Sequence, residues 1–145
     1  MTPKLRRFLD RVRPSTPYLV VDVDVVEANY LALAAALDGV EIFYAVKANP
    51  APEILGRLAS LGCSFDVASP AEVAMALAAG VDASRISYGN TIKKEADIAS
   101  AYAQGVRLFA FDSEAELANH VRQSYELVRA GLPKKIQRAL GVTLA

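Results

Sequence analysis

Apolar and polar positions change their period repeatedly along this chain. Leu5, Phe8, Leu9 and Val12 fall at helical spacing among Lys4, Arg6, Arg7, Arg11 and Arg13, which predicts a short amphipathic helix within Met1 to Thr16. From Pro17 the pattern alternates between short β-branched runs and one-sided helical runs. The expected strands are Tyr18–Val23, Ile42–Ala48, Ser64–Ala68, Ile86–Gly89 and Leu108–Asp112. The expected helices are Val25–Leu37, Pro52–Leu61, Pro70–Ala79, Lys93–Gln104 and one from Ser113 toward Ala130. Asp38-Gly39, Gly62, Gly80 and Gly105 mark the stops of the first four. Ser69-Pro70-Ala71-Glu72 and Ser113-Glu114-Ala115-Glu116 carry the Ser-x-x-Glu capping box, each directly after a strand.

The strand ends recur at a near-constant interval: Lys47, Ser69, Asn90 and Ser113. Repeated βα units of one length imply a parallel sheet covered by helices. A doubly wound sheet and part of a (β/α)8 barrel both fit. A doubly wound nucleotide binder calls for a Gly-rich turn after an early strand, whereas Lys47-Ala48-Asn49-Pro50 and Ser69-Pro70 stand there. The expectation is therefore an α/β fold, a partial TIM-type barrel of about four βα units preceded by one strand and one helix. The expected segments are residues 1–16 as an N-terminal amphipathic segment, 17–121 as the partial barrel, and 122–145 as a basic tail unlike the rest.

Composition narrows the chemistry. The chain has 145 residues, is 53% hydrophobic and has a formal net charge of zero, which argues against phosphate-backbone binding as its main task. The zero hides an asymmetry: Arg122, Arg129, Lys134, Lys135 and Arg138 face only Glu126 in the last stretch, and the rest is net acidic. No apolar run approaches bilayer length, and no secretory h-region follows the basic start. One cysteine, Cys63, rules out an internal disulfide and a cysteine-ligated zinc site, so no metal site is expected. One histidine, His120, removes most His-based triads and metal schemes.

Lys47 then stands out, because it ends an otherwise apolar strand. Alternation puts Phe43, Ala45 and Lys47 on one face and Ile42, Tyr44 and Val46 on the other. In a barrel that places Lys47 at the C-terminal rim, partly desolvated, where an amine is available for imine chemistry. The plainer reading is a strand-end lysine reaching to water. Asp66, Ser69, Asn90, Asp112 and Ser113 collect at the same rim. Ser69 and Glu72 are accounted for by their capping box, and Asp112 or Ser113 by an N-cap. Asp66, a carboxylate between Phe65 and Val67, has no such account. Cys63 is expected as a small buried filler and His120 as a solvent-facing helix residue.

The runs FYAVKANP, SFDVASPAE, ISYGNTIKK and VRLFAFDSEAEL, with TPYLVVDVDVV ahead of them, resemble in order and spacing the motifs of the fold-type III pyridoxal-phosphate decarboxylases. The second and third are closest in form to ornithine decarboxylases, including bacterial ones that accept lysine. The resemblance covers roughly Pro17 to Val121. It implies that Lys47 carries pyridoxal 5'-phosphate covalently, that Asp66 and Glu72 match acidic positions near it, and, more weakly, that Asn90 lines the pocket. It implies decarboxylation of a small basic amino acid, L-ornithine to putrescine, in polyamine biosynthesis. It further implies a cytoplasmic homodimer at full length, with no nucleic-acid or membrane partner. The family's later barrel strands and β-domain have no counterpart here, so a truncated or partial reading frame, inactive alone, is expected. The alternatives are a non-catalytic decarboxylase-like regulator that binds a full-length subunit, and a small pyridoxal-phosphate-binding protein.

Overall fold

A computed structural model describes residues 1–115, 117, 118, 121 and 122. The elements in order are α1 (Pro3–Val12), α2 (Val23–Ala36), β1 (Phe43–Ala45), α3 (Pro52–Ser60), β2 (Ser64–Val67), α4 (Pro70–Ala78), β3 (Ile86–Tyr88), α5 (Glu95–Ala103) and β4 (Leu108–Phe109), with 3-10 turns at Val46–Ala48 and Ala83–Arg85. Among the described residues the four strands form one parallel sheet in the order β1-β2-β3-β4. Each step pairs residues 21 apart in sequence, as in Phe43↔Ser64, Phe65↔Ile86 and Ser87↔Leu108.

That order decides between the two architectures. A strand order that never reverses has no switch point, and right-handed crossovers then put every helix on one face. The burial pattern agrees. Phe65, Val67, Ile86 and Tyr88, alternate residues of the central strands, are fully buried in one cluster with Leu55 and Leu58 of α3, Val73 and Ala76 of α4, and Ala101 of α5. Register puts Tyr44 of β1 beside Phe65 on this face, and their rings meet edge to face at 6.0 Å between centroids. The other face carries Phe43, Ala45, Asp66, Ser87 and Leu108, partly open to solvent and, at Leu108, half exposed. This is the one-sided cover of a barrel segment. Cys63 is buried as expected, its thiol pushed up by that burial.

Two expectations need correction. Tyr18–Val23 is not a strand: Asp22 caps α2, accepting a bond from the Asp24 amide at 3.3 Å, and the helix begins at Val23 rather than Val25. A β-rich hexapeptide needs a pairing strand, and the described sheet offers it none, so the local cap prevails. The leading helix lies within 1–16 as expected, ending where Arg13 turns into the left-handed region at φ 44°. The strands end earlier than their apolar runs. β1 stops at Ala45, and the chain closes a 3-10 turn through Val46–Ala48. The helix expected through Ala130, the residue His120 and most of the 122–145 tail lie outside the described residues.

α1 is held from its first turn. Lys4 Nζ donates to Asp22 Oδ1 at 2.9 Å and also reaches Asp24, and Thr2 Oγ1 donates to Asp22 Oδ2 at 3.2 Å. The bond from Lys4 holds the Asp22 carboxyl below the usual carboxylate range, against the opposing effect of its burial. A folded value below the unfolded one contributes stability in full above the unfolded pKa, about 3.9, and loses it as pH falls through the folded value. Acidification from about pH 5 to pH 2 should therefore lower the melting temperature of the unaltered chain more steeply than that of Asp22→Asn, which keeps the cap but not the charge. Melts of both across that range check this, and parallel pH profiles would refute it.

Candidate functional site at the C-terminal rim

The rim is formed where the strands give way to loops. At β1, Val46 is fully buried and anchors the 3-10 turn, while the next side chain, Lys47, is exposed. Partial desolvation of Lys47 by strand alternation is not what the structure shows. The turn takes the lysine out of the pleat, and among the described residues nothing covers that face beyond it. No described residue ion-pairs with Lys47 or hydrogen-bonds its amine, so the side chain is uncommitted. Tyr44, on the helix-facing side, donates from its hydroxyl to the Asn49 carbonyl at 3.2 Å, and Asn49 Oδ1 accepts from the Ala51 amide at 3.1 Å. The second bond starts α3, whose N-cap, Ala51, has no side-chain acceptor of its own.

At β2, Asp66 pairs with Ala45 on one side and Ser87 on the other, on the face away from the helices. Its carboxylate lies against Gly89: a Cβ built on Gly89 would sit 2.1 Å from Asp66 Oδ1 and 2.8 Å from Oδ2. Only glycine leaves room for that carboxylate. Glu72 is differently engaged. Ser69 Oγ accepts from the Glu72 amide at 3.3 Å and Glu72 Oε2 accepts from the Ala68 amide at 2.7 Å, one residue ahead of the N-cap that an ideal capping box would reach. Its carboxylate is committed to the loop.

At β3, Asn90 is exposed and shapes its own turn, donating from Nδ2 to the Ile92 carbonyl at 2.8 Å and reaching the Ala68 carbonyl at 3.5 Å. Lys93 Nζ donates to the carbonyls of Asn90, at 2.6 Å, and Ala110, and stands 5.9 Å from the Tyr88 ring centroid. It ties the ends of β3 and β4 together. Of the rim amines, that of Lys93 is engaged, while those of Lys47 and of exposed Lys94, the N-cap of α5, are open. Asp112 and Ser113, exposed, complete the rim at β4.

The structure thus brings Lys47, Asp66 and Asn90 to one end of the sheet without an ion pair between Lys47 and Asp66. Tyr44, Asn49 and Gly89 were not singled out by pattern. Asn49 before a proline and an apolar helix is a helix-start signal, and a glycine between Tyr88 and Asn90 marks a close approach of backbone. An apolar cleft of about 440 Å³ lies beside β1, walled by Val26, Tyr30 and Leu33 of α2. Its lining includes none of Lys47, Asp66, Glu72 and Asn90, so it is not this site. Among the described residues no group of His, Cys, Asp and Glu could hold a metal ion, and no helix is long and apolar enough to cross a membrane.

A parallel sheet of barrel type, covered by helices on one face, defines the class: a (β/α)8-type domain, here with an exposed lysine at its C-terminal rim. Comparison with known proteins then gives the family. Residues 23–136 match the profile of the pyridoxal-dependent decarboxylases, pyridoxal binding domain, and the chain belongs to that family. It is 44% identical over 105 residues to the lysine/ornithine decarboxylase of Selenomonas ruminantium, covering 72% of this chain and 27% of that protein. It is 36% identical over 105 residues to human antizyme inhibitor 2, covering 72% and 23%. The crystal structure of a lysine/ornithine decarboxylase from Vibrio vulnificus complexed with cadaverine superposes with a TM-score of 0.72 at 34% identity, over 80% of this chain and 31% of that one. The chain spans about a quarter of the length of the curated relatives it matches.

Gly89→Ala should push the Asp66 carboxylate off its seat rather than shift the backbone, since the clash is with the end of a side chain. A stability loss of about 1–2 kcal/mol is expected, measured by urea unfolding. Asp66→Ala should remove most of that penalty when the two changes are combined. Additive losses would show that Asp66 is not what glycine accommodates.

Proposed function

We propose that this chain supplies the lysine-bearing part of a pyridoxal-phosphate-dependent decarboxylase acting on a small basic amino acid, L-ornithine to putrescine in polyamine synthesis. The observation that carries the reading is the free amine of Lys47 on its turn, beside a carboxylate strand, in a chain of this family. The residues fit the covalent end of the cofactor. Lys47 offers an uncommitted amine, and Asp66 offers a carboxylate on the same exposed face. When bound, pyridoxal phosphate would supply an electron sink for the bond that breaks. The protein's part is to hold and orient it. Lys47 would attach it, Asp66 would orient and charge-balance its ring, and Asn90 would border it. Glu72 would act indirectly, by fixing the Ala68–Ser69 loop. Lys93 would hold the far side of the rim through the carbonyls of Asn90 and Ala110. The described residues present no phosphate seat at this rim. We propose that the cofactor's phosphate and the substrate's distal amine are met by parts of the full-length protein, working as a cytoplasmic homodimer, and that the 145 residues alone release no carbon dioxide.

The second reading, a decarboxylase-like regulator without turnover, is favoured by one observation: the likeness to a protein named as an antizyme inhibitor. Retention of an unencumbered Lys47 favours the first. Incubation with pyridoxal phosphate, borohydride reduction and peptide mapping should place the label on Lys47, with Lys47→Ala losing most of it. Label on Lys93 or Lys94 in preference would overturn the assignment.

A further inference from the structure

The turn that carries Lys47 has an unusual construction. It is three residues long, follows a three-residue edge strand, and runs into a loop whose helix begins without a side-chain acceptor at its N-cap. Two features fix it. Val46 is buried completely in the core. On the far side of the lysine, the Tyr44 hydroxyl bonds the Asn49 carbonyl at 3.2 Å. Tyr44 is itself fixed by the edge-on Phe65 ring, and burial raises its pKa, so the phenol stays a donor throughout the working pH range. The bond spans the turn like a strut, from the residue three before Lys47 to the residue two after it. The carbonyl it satisfies lies one peptide from Pro50, which has no N–H and contributes nothing to a ladder there.

We propose that Tyr44 is a positioning residue for Lys47: through the Asn49 carbonyl, its hydroxyl holds the 3-10 turn in one place, so that an otherwise free amine is presented from a fixed point at the rim. The assignment rests on the reading of Lys47 as the attachment lysine, but the strut itself does not. An exposed four-carbon side chain keeps its own rotamer freedom, so the only part of its reach the fold can set is the backbone from which it springs. A displacement of about 1 Å at such a point is enough to slow a positioned reaction by one to two orders of magnitude.

Tyr30 provides the control, because it lines the same cleft beside β1. Tyr44→Phe keeps the ring and its contact with Phe65 and removes the hydroxyl alone. Two readouts are taken on the 145-residue chain. The first is amide exchange at Lys47, Ala48 and Asn49, with no cofactor present. The second is the rate of borohydride-trapped pyridoxal phosphate at Lys47 at saturation and its half-saturation concentration, normalised to exposed Lys94. Tyr44→Phe should speed exchange over the turn on the order of fivefold and lower the saturating rate at Lys47 about tenfold, with half-saturation unchanged. Tyr30→Phe should change neither. Equal values for Tyr44→Phe and the unaltered chain would overturn the proposal. So would equal losses in both variants, which would make the effect one of cleft packing. Unfolding of Tyr44→Phe alone would make the bond structural, and would overturn it also. Trapping that never favours Lys47, with exchange altered as expected, would refute the attachment reading while leaving the strut in place.

Discussion

The apolar layer between the sheet and its helices is the constraint on which the rest depends. Val46, Phe65, Val67, Ile86 and Tyr88 are buried without remainder against α3, α4 and α5. At about 1.5–3 kcal/mol for each large side chain removed from water, this layer outweighs any polar contact in the molecule. Strand alternation has period two, so committing these residues to one face sends Ala45, Asp66, Ser87 and Leu108 to the other. A slip of one residue in β2 would place Asp66 in the core. The face that carries the chemistry is thus defined by what packing excludes from it.

Parallel pairing at a uniform offset of 21 residues turns that division into a site. Every strand runs the same way, so every strand-to-helix loop arrives at one end. Helix starts cluster there, with Ser69 capping α4 and the Asn49 side chain opening α3. The loops are stiffened by short polar bonds, Glu72 to the Ala68 amide and Lys93 to the carbonyls of Asn90 and Ala110. Against this network Lys47 has no partner among the described residues. Glu72, Asn90 and Lys93 spend their polar groups on the loops, and it does not.

The parts of this arrangement that were legible in the sequence are those whose physics is local. Ser69 and Glu72 announce a helix start within four residues, and the glycines after α3, α4 and α5 are needed for the positive φ at which those helices stop. The parallel barrel-type sheet was legible because its unit repeats. The run Tyr18–Val23 misled because β-propensity describes a fit to a neighbouring strand, whereas Asp22 could cap a helix without one. The end of β1 was misplaced by the same kind of ignorance: Val46 continues the apolar run in sequence but turns in space, fixed by the core above it. Lys47 was found from its position after an apolar strand, yet its exposure was not, since cover depends on what lies across the sheet. The Tyr44 bond to Asn49 and the pressing of Asp66 on Gly89 join residues through the path of a ring or the pitch of two strands, which no spacing encodes.

The central proposal is that Lys47, which follows β1 directly and has no partner among the described residues, is the rim amine that takes the cofactor. NMR of the chain with its lysine Nζ atoms labelled, titrated with pyridoxal phosphate, tests it most directly. The account predicts that the Lys47 signal changes first and to completion, while that of Lys93 keeps its position. A Lys93 or Lys94 signal that responds ahead of Lys47 would contradict it.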